Sequence, residues 1–348
     1  MSKRIGPWSA FFTCLVAAAF LQAQEPLPLA PAETTPLTAV AQDWVSSEVR
    51  CDSSGNLFLY ETLDDEASTS YVLRISSNGK QVRRFEPGAV PELRGLSDWG
   101  PFAVGDRGEV YLTAIRTQGE RETFAASFVA IFDPDGKFLS APPFEYPVEP
   151  RALAVFGSGD LLIAGWDRSP AARSRDLPFT GIFNRRGQLM QRLRLPGDTQ
   201  APSKEGKPVS ASEREAAQAS VAMSRAELGP DGNVYLARGA AAGPVYVINP
   251  AGHVVRTLRL SPPHSYRLRA LRSSGGGLVA FYVGAQADPQ KETSAVLQGL
   301  DALTGAKTRE YAWRLAPEEA FACSAEDSFT FIRPGKNRVL ELVRAEPR

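Results

Sequence analysis

The sequence has little of what metal and nucleophile chemistry usually draws on. Among its 348 residues there are two histidines, three cysteines and three methionines. His253 and His264 are too few to furnish a histidine-rich zinc site. The Gly-x-Ser-x-Gly, His-Glu-x-x-His and phosphate-loop signatures are missing. Neither sign of charge is in excess, with 39 Lys and Arg against 39 Asp and Glu. That balance argues against nucleic acid as the main partner, since its binders carry a basic balance or stripe. Long apolar runs are scarce too: Phe11–Leu21 stands alone and is shorter than the roughly 20 residues that span a bilayer.

That run has the setting of an export signal. Lys3 and Arg4 precede it, and Ala23 follows it ahead of a proline-rich polar stretch. Residues 1–23 are therefore expected to be a cleaved signal peptide, with the mature chain starting at Gln24 in a secreted or periplasmic setting. The alternative is an uncleaved anchor. Phe11-Phe12-Thr13 lacks the small residues a lipoprotein signal would place before Cys14. Cleavage removes Cys14 and leaves Cys51 and Cys323, a candidate disulfide in an oxidising compartment.

What the sequence does have is a repeat. Its clearest copy is Leu228-Gly-Pro-Asp-Gly-Asn-Val-Tyr-Leu236 followed by Val245-Tyr-Val-Ile-Asn-Pro-Ala-Gly-His-Val-Val255. A glycine turn leads into an alternating apolar strand, a second strand ends in a second glycine turn, and a third strand leaves it. The same grammar starts at Asp52, Gly105, Gly157 and Ser273, and in degenerate form at Cys323. Turn glycines 55, 108, 159, 232 and 276 occupy matching places. Asn-Gly and Asp-Gly supply the positive φ of tight hairpins, and Asp133-Pro-Asp-Gly136 reads as such a turn rather than a calcium loop, lacking the later acidic ligands. One meander cannot bury both faces alone, so six must stack, and radial stacking leaves only short edges.

The expected fold is all-β: a six-bladed β-propeller of four-stranded antiparallel blades over residues 46–348. The last copy has room for three strands, so segment 24–45 is expected to complete it, with the strand near Leu37–Gln42. The alternative is a disordered leader and a three-stranded last blade. An insertion at 199–223, with Ser210 or Ser212 capping a short helix, is either a lid or a solvated excursion. Cys51 and Cys323 precede matching turns of the first and last copies, so ring closure should bring their Cα atoms to roughly 5–8 Å; a bond and a pair of buried free thiols are both open.

The Gly-Asn-Val-Tyr-Leu and Asp-Pro-Asp-Gly-Lys phrases resemble blades of the NHL-repeat and wider TolB-like six-bladed propellers over about residues 45–345. Trp166-Asp167 stands alone, unlike the recurring signature of WD40 blades. The resemblance implies fold more than function, because that superfamily includes binding scaffolds, lyases, lactonases and hydrolases.

Ligands of propellers usually meet one end of the axis, at the loops leading into innermost strands. Those loops carry Asp43 and Trp44, Asp98 and Trp99, Arg151, Arg225, Tyr266 and Arg269, and Glu318 and Glu319. The candidate ligand-binding set is Trp44, Trp99, Arg151, Arg225, Tyr266, Arg269 and Glu319, since aromatics and arginines at a mouth suit a polar or anionic ligand or a peptide. Between second and third strands, Asp64–Glu66 makes one loop acidic, and Arg168, Arg173 and Arg175 make another basic. The expected function is an exported scaffold that binds a protein, peptide or envelope component, without a cofactor or catalytic set. The alternative is a metal-dependent hydrolase or lactonase resembling the gluconolactonase-like propellers. Glu48, Asp98 and Glu319 are its nominal ligands, and no asparagines join them.

Overall fold

The computed structural model describes residues 25–38, 40, 46–61, 70–119, 123–172, 177–196, 220–239, 243–274, 277–284, 291–335 and 339–348. The expected signal at 1–23, Asp43, Trp44, Asp64–Glu66, Arg173, Arg175, Gly276 and positions 199–219 of the insertion lie outside the described residues. No helix among the described residues is long and apolar enough to cross a membrane.

Four separate sheets are four-stranded antiparallel meanders. The first holds β2 to β5 (Ser46–Cys51, Leu57–Glu61, Tyr71–Ile75, Val82–Phe85). The second holds β6 to β9 (Phe102–Val104, Val110–Gln118, Thr123–Phe132, Phe138–Ser140). The third holds β10 to β13 (Val148–Val155, Leu161–Asp167, Pro178–Phe183, Leu189–Arg192). The fourth holds β14 to β17 (Arg225–Leu228, Val234–Ala237, Pro244–Ile248, Val254–Arg259).

The last two copies of the repeat do not form two more separate sheets. β18 to β21 (Tyr266–Ser274, Gly277–Gly284, Thr293–Leu300, Lys307–Leu315) and β22 to β24 (Ala320–Ala325, Ser328–Pro334, Leu340–Pro347) share one eight-stranded sheet with β1 (Leu27–Pro36). This corrects the expectation of six separate blades: the count is four blades and one eight-stranded sheet. The cause is β1, which pairs antiparallel with β24 from Leu29↔Pro347 to Pro36↔Glu341 and touches β21 in parallel only at Leu27↔Tyr311 and Pro28↔Ala312.

The outer strand is also displaced from its expected place. Leu37 follows β1, donates its N–H to the Leu340 carbonyl at 2.7 Å, and is buried with Val40 against β3, β4 and β24. β1 itself carries Pro28, Pro31 and Pro36. Proline lacks a donor, so it suits a strand paired along one side, and a register shift between Pro31 and Glu33 absorbs the remaining irregularity.

The turns explain why the meanders form where they do. In the fourth sheet, Gly232 adopts φ 74° and donates to the Gly229 carbonyl at 3.1 Å, while Asp231 Oδ1 accepts from Asn233 N. A side chain at such φ is strained. Gly55, Gly108 and Gly159 adopt φ of 75°, 84° and 87°. Asp133 Oδ1 accepts from the N–H groups of Asp135 and Lys137, which makes 133–136 a hairpin turn.

Stacking of the sheets buries aromatic side chains. Phe58 and Phe85 of the first sheet pack with Phe102 and Phe132 of the second. Phe281, Phe321, Phe331 and Trp313 fill the space between the halves of the eight-stranded sheet. The innermost strands touch in the order β2, β6, β10, β14, β18 and β22, and β22 returns to β2. At that return Cys51 and Cys323 are joined as a disulfide, with Cα atoms 5.9 Å apart across 272 residues of sequence. The arrangement is a β-propeller-like stack of antiparallel sheets around an axis.

Candidate binding site at the axis

The innermost strands enclose a cavity of about 1130 Å³. That is at or above the upper end of the roughly 300–1,000 Å³ typical of small-ligand pockets. Of the expected candidates, Trp99, Arg151, Arg225, Arg269 and Glu319 line it, and so do Glu48, Asp98 and Glu318. Tyr266 does not line it; the ring packs beside Leu268 and Tyr282 instead. Trp44 lies outside the described residues. Both histidines are exposed, and His264 Nδ1 is 2.7 Å from Ser265 Oγ.

Local backbone features aim several of these side chains. β10 and β11 slip register between Pro150 and Ala152, and β18 and β19 slip between Leu268 and Ala270. Arg151 and Arg269 are the extra residues, and such a bulge bends a strand and redirects its side chain. Asp98 and Glu318 adopt left-handed φ of 44° and 59° immediately before Trp99 and Glu319. Non-glycine residues held there cost of order 1–3 kcal/mol each and cluster at functional sites.

The floor of the cavity is ionic. Arg50 pairs with Glu48 at 2.7 Å and with Glu227 at 3.3 Å, and Arg272 is 3.8 Å from Glu227. Arg50 also donates to the Ala226 carbonyl, and Arg272 to the carbonyls of Ala322, Leu271 and Val49. Four innermost strands, β2, β14, β18 and β22, are thereby tied together at the axis. Buried charges persist only when paired and hydrogen-bonded. Burial works against the Arg50 charge, but Glu48 and Glu227 hold its pKa above the ordinary value. For Arg272 burial wins over Glu227, with Arg50 adding repulsion, and its pKa falls.

Arg225 stands apart from that floor. Its Nε donates to the Arg269 carbonyl at 3.0 Å and its other guanidinium contact is the Ser224 carbonyl at 2.8 Å. No ion pair to Arg225 or Arg269 exists among the described residues. Burial lowers the Arg225 pKa, Glu48 opposes this, and Arg269 and Arg50 lower it further. Arg151, by contrast, is ion-paired to Glu149, which also holds Arg168.

Glu319, immediately before β22, is 7% exposed. Its Oε2 accepts from Ala316 N at 2.7 Å and from Trp313 Nε1 at 3.3 Å, whereas Oε1 has no partner. Burial pushes this carboxyl up to about 7, against those hydrogen bonds. Among the described residues no group of three or more His, Cys, Asp or Glu is placed to hold a metal ion.

Sequence reasoning missed Arg50, Glu227 and Arg272. Little in the sequence signals them, because they sit in polar, charge-rich innermost strands, Ser46–Cys51, Arg225–Leu228 and Tyr266–Ser274, where nothing local sets them apart from exposed charges.

No family model matches the sequence, and no curated protein matches it. Solved structures do resemble the fold. A protein of unknown function from Dyadobacter fermentans is 11% identical with a TM-score of 0.53, over 92% of this chain and 99% of that one. One of unknown function from Bacteroides caccae is 12% identical with a TM-score of 0.41, over 79% and 82%. A GH74 xyloglucanase from Xanthomonas campestris is 16% identical with a TM-score of 0.40, over 83% of this chain and 47% of that one. The likeness to the Dyadobacter fermentans protein, at 11% identity, concerns fold alone.

Proposed function

We propose that this chain is an exported binding propeller, similar to the NHL-repeat and TolB-like six-bladed proteins, whose axial cavity takes a protein, peptide or envelope component. The carrying observation is the convergence on one cavity of Trp99, Arg151, Arg225, Arg269 and Glu319, contributed by five different innermost-strand approaches. Incompletely paired charge and left-handed backbone at that one place favour recognition over simple channel filling. Export is supported by the basic, apolar and small-residue pattern of residues 1–23 and by a disulfide, which persists in oxidising compartments. A metal-dependent hydrolase finds no ligand set among the described residues.

Two experiments test this reading. Secreted or periplasmic material should begin at or near Gln24, and material retaining Met1 would contradict export. Immobilised mature protein should capture a partner from envelope extracts that a Trp99→Ala, Arg151→Glu variant, still folded by circular dichroism, no longer holds. Equal capture by both proteins would place recognition elsewhere and sink the cavity reading.

A further inference from the structure

The cavity has an uneven distribution of partners that speaks to the chemistry of its ligand. Arg225 and Arg269 sit on adjacent innermost strands, joined by the contact of the Arg225 guanidinium with the Arg269 carbonyl. Elsewhere on the wall and floor, Arg50 and Arg151 meet carboxylates. Arg225 and Arg269 make no ion pair among the described residues, and Glu48 acts on Arg225 only from beyond contact distance. Beside them the wall is apolar. Phe281 pairs across the strand with Ala270, the residue after Arg269, and its ring lies 5.2 Å from that of Phe321. Both phenylalanines reach the cavity lining with only 3% of their surface exposed, the rest being packed in the core between the halves of the eight-stranded sheet. Next along the ring comes Glu319, whose Oε1 is buried and without a partner.

From this juxtaposition we infer that the cavity binds an organic carboxylate with an apolar group beside it, the anion on Arg225 and Arg269 and the hydrocarbon against Phe281 and Phe321. The inference rests on the proposed binding role of the same cavity. A guanidinium short of carboxylate partners gains most from an oxyanion, and its planar fork matches a carboxylate. The exposed Arg269 charge acts against that of the half-buried Arg225, and a ligand anion held by both removes that repulsion. A ligand donor, such as the N–H that neighbours a terminal carboxylate in a peptide or an acylated amino acid, reaches the unpartnered Glu319 Oε1 once that buried carboxyl turns toward the cavity. A peptide C-terminus and a free small acid share this chemistry.

Affinity-selection mass spectrometry on the mature protein tests it. The probes are a randomised tetrapeptide mixture with free C-terminal carboxylates, the same mixture amidated, and a set of N-acetyl amino acids. The expected result is selective retention of free-acid species ending in Leu, Ile, Val, Met or Phe. The advantage over the amides should be about tenfold or more, as for loss of a charge-assisted pair. Arg269→Glu, at an exposed side chain, should abolish that retention while leaving the thermal midpoint in place. Retention of peptides above N-acetyl amino acids assigns a peptide end; the reverse assigns a small acid; both support the inference. Equal retention of acids and amides, no retention of either, or retention untouched by Arg269→Glu overturns it. If amides bind as well as acids and Trp99→Ala abolishes both, only the carboxylate preference fails and the cavity remains the binding place.

Discussion

Opening the Cys51–Cys323 bond should weaken the ring without changing its architecture. The bond closes a loop of 272 residues, and the loop-entropy relation then gives about 5–6 kcal/mol of stabilisation at 25 °C through restriction of the unfolded chain. Typical losses for native disulfides reach about 2–5 kcal/mol. The folded state has its own closure: β1 pairs with β24, and β2 and β22 are in contact. The reduced protein should therefore remain native. With an unfolding entropy of about 2.1 cal/mol/K per residue, a loss of 3–5 kcal/mol lowers the midpoint of a chain this long by about 4–8 °C. Differential scanning calorimetry of oxidised protein, reduced protein and the Cys51→Ser, Cys323→Ser double variant gives the number, with far-UV circular dichroism checking the fold. An unchanged midpoint would refute the loop argument. Loss of the native spectrum at 25 °C would refute the claim that strand pairing alone closes the ring.

Two further outcomes follow from charges at the axis. The Glu319 carboxyl is pushed up to about 7 by burial, so the folded state binds its proton more tightly than the unfolded chain does. The stability this confers is full below about pH 4.5 and is lost as pH rises through about 7; a shift of that size corresponds to about 3 kcal/mol. Urea unfolding across this range should show the slope in the wild type and a flatter profile in Glu319→Gln, and parallel profiles would contradict the assignment. Glu227→Ala strips Arg50 and Arg272 of a shared carboxylate and should cost about 3–5 kcal/mol. Replacing all three charges by methionine should cost less than the single change, and a larger loss in the triple variant would show that the network is not a paired set.

Much of the architecture was written in local signals. Glycines 55, 108, 159 and 232 fix turns because their φ values exclude side chains, and the alternating runs after them become strands. The matching places of Cys51 and Cys323 were enough to anticipate their meeting. The ring-closing strand was harder to place. Pro28, Pro31 and Pro36 make Leu27–Pro36 look like a leader, and only the free edge of β24 turns it into a strand. Nor did sequence pattern foretell that β1 would also reach β21 and merge two expected blades into one sheet. At the site, position along the repeat led to Trp99, Arg151, Arg225, Arg269 and Glu319. It could not tell which arginines would find carboxylates, because Arg50 meets Glu227 across 177 residues of sequence. Tyr266 has the same loop position and turns away into the neighbouring core.

The most direct test of the account is a crystal structure of the mature protein grown with the ligand selected by mass spectrometry. The account predicts density in the axial cavity, with its anionic group on Arg225 and Arg269 and its apolar group against Phe281 and Phe321. Density confined to the outer surface, or a cavity filled only by water at saturating ligand, would contradict it.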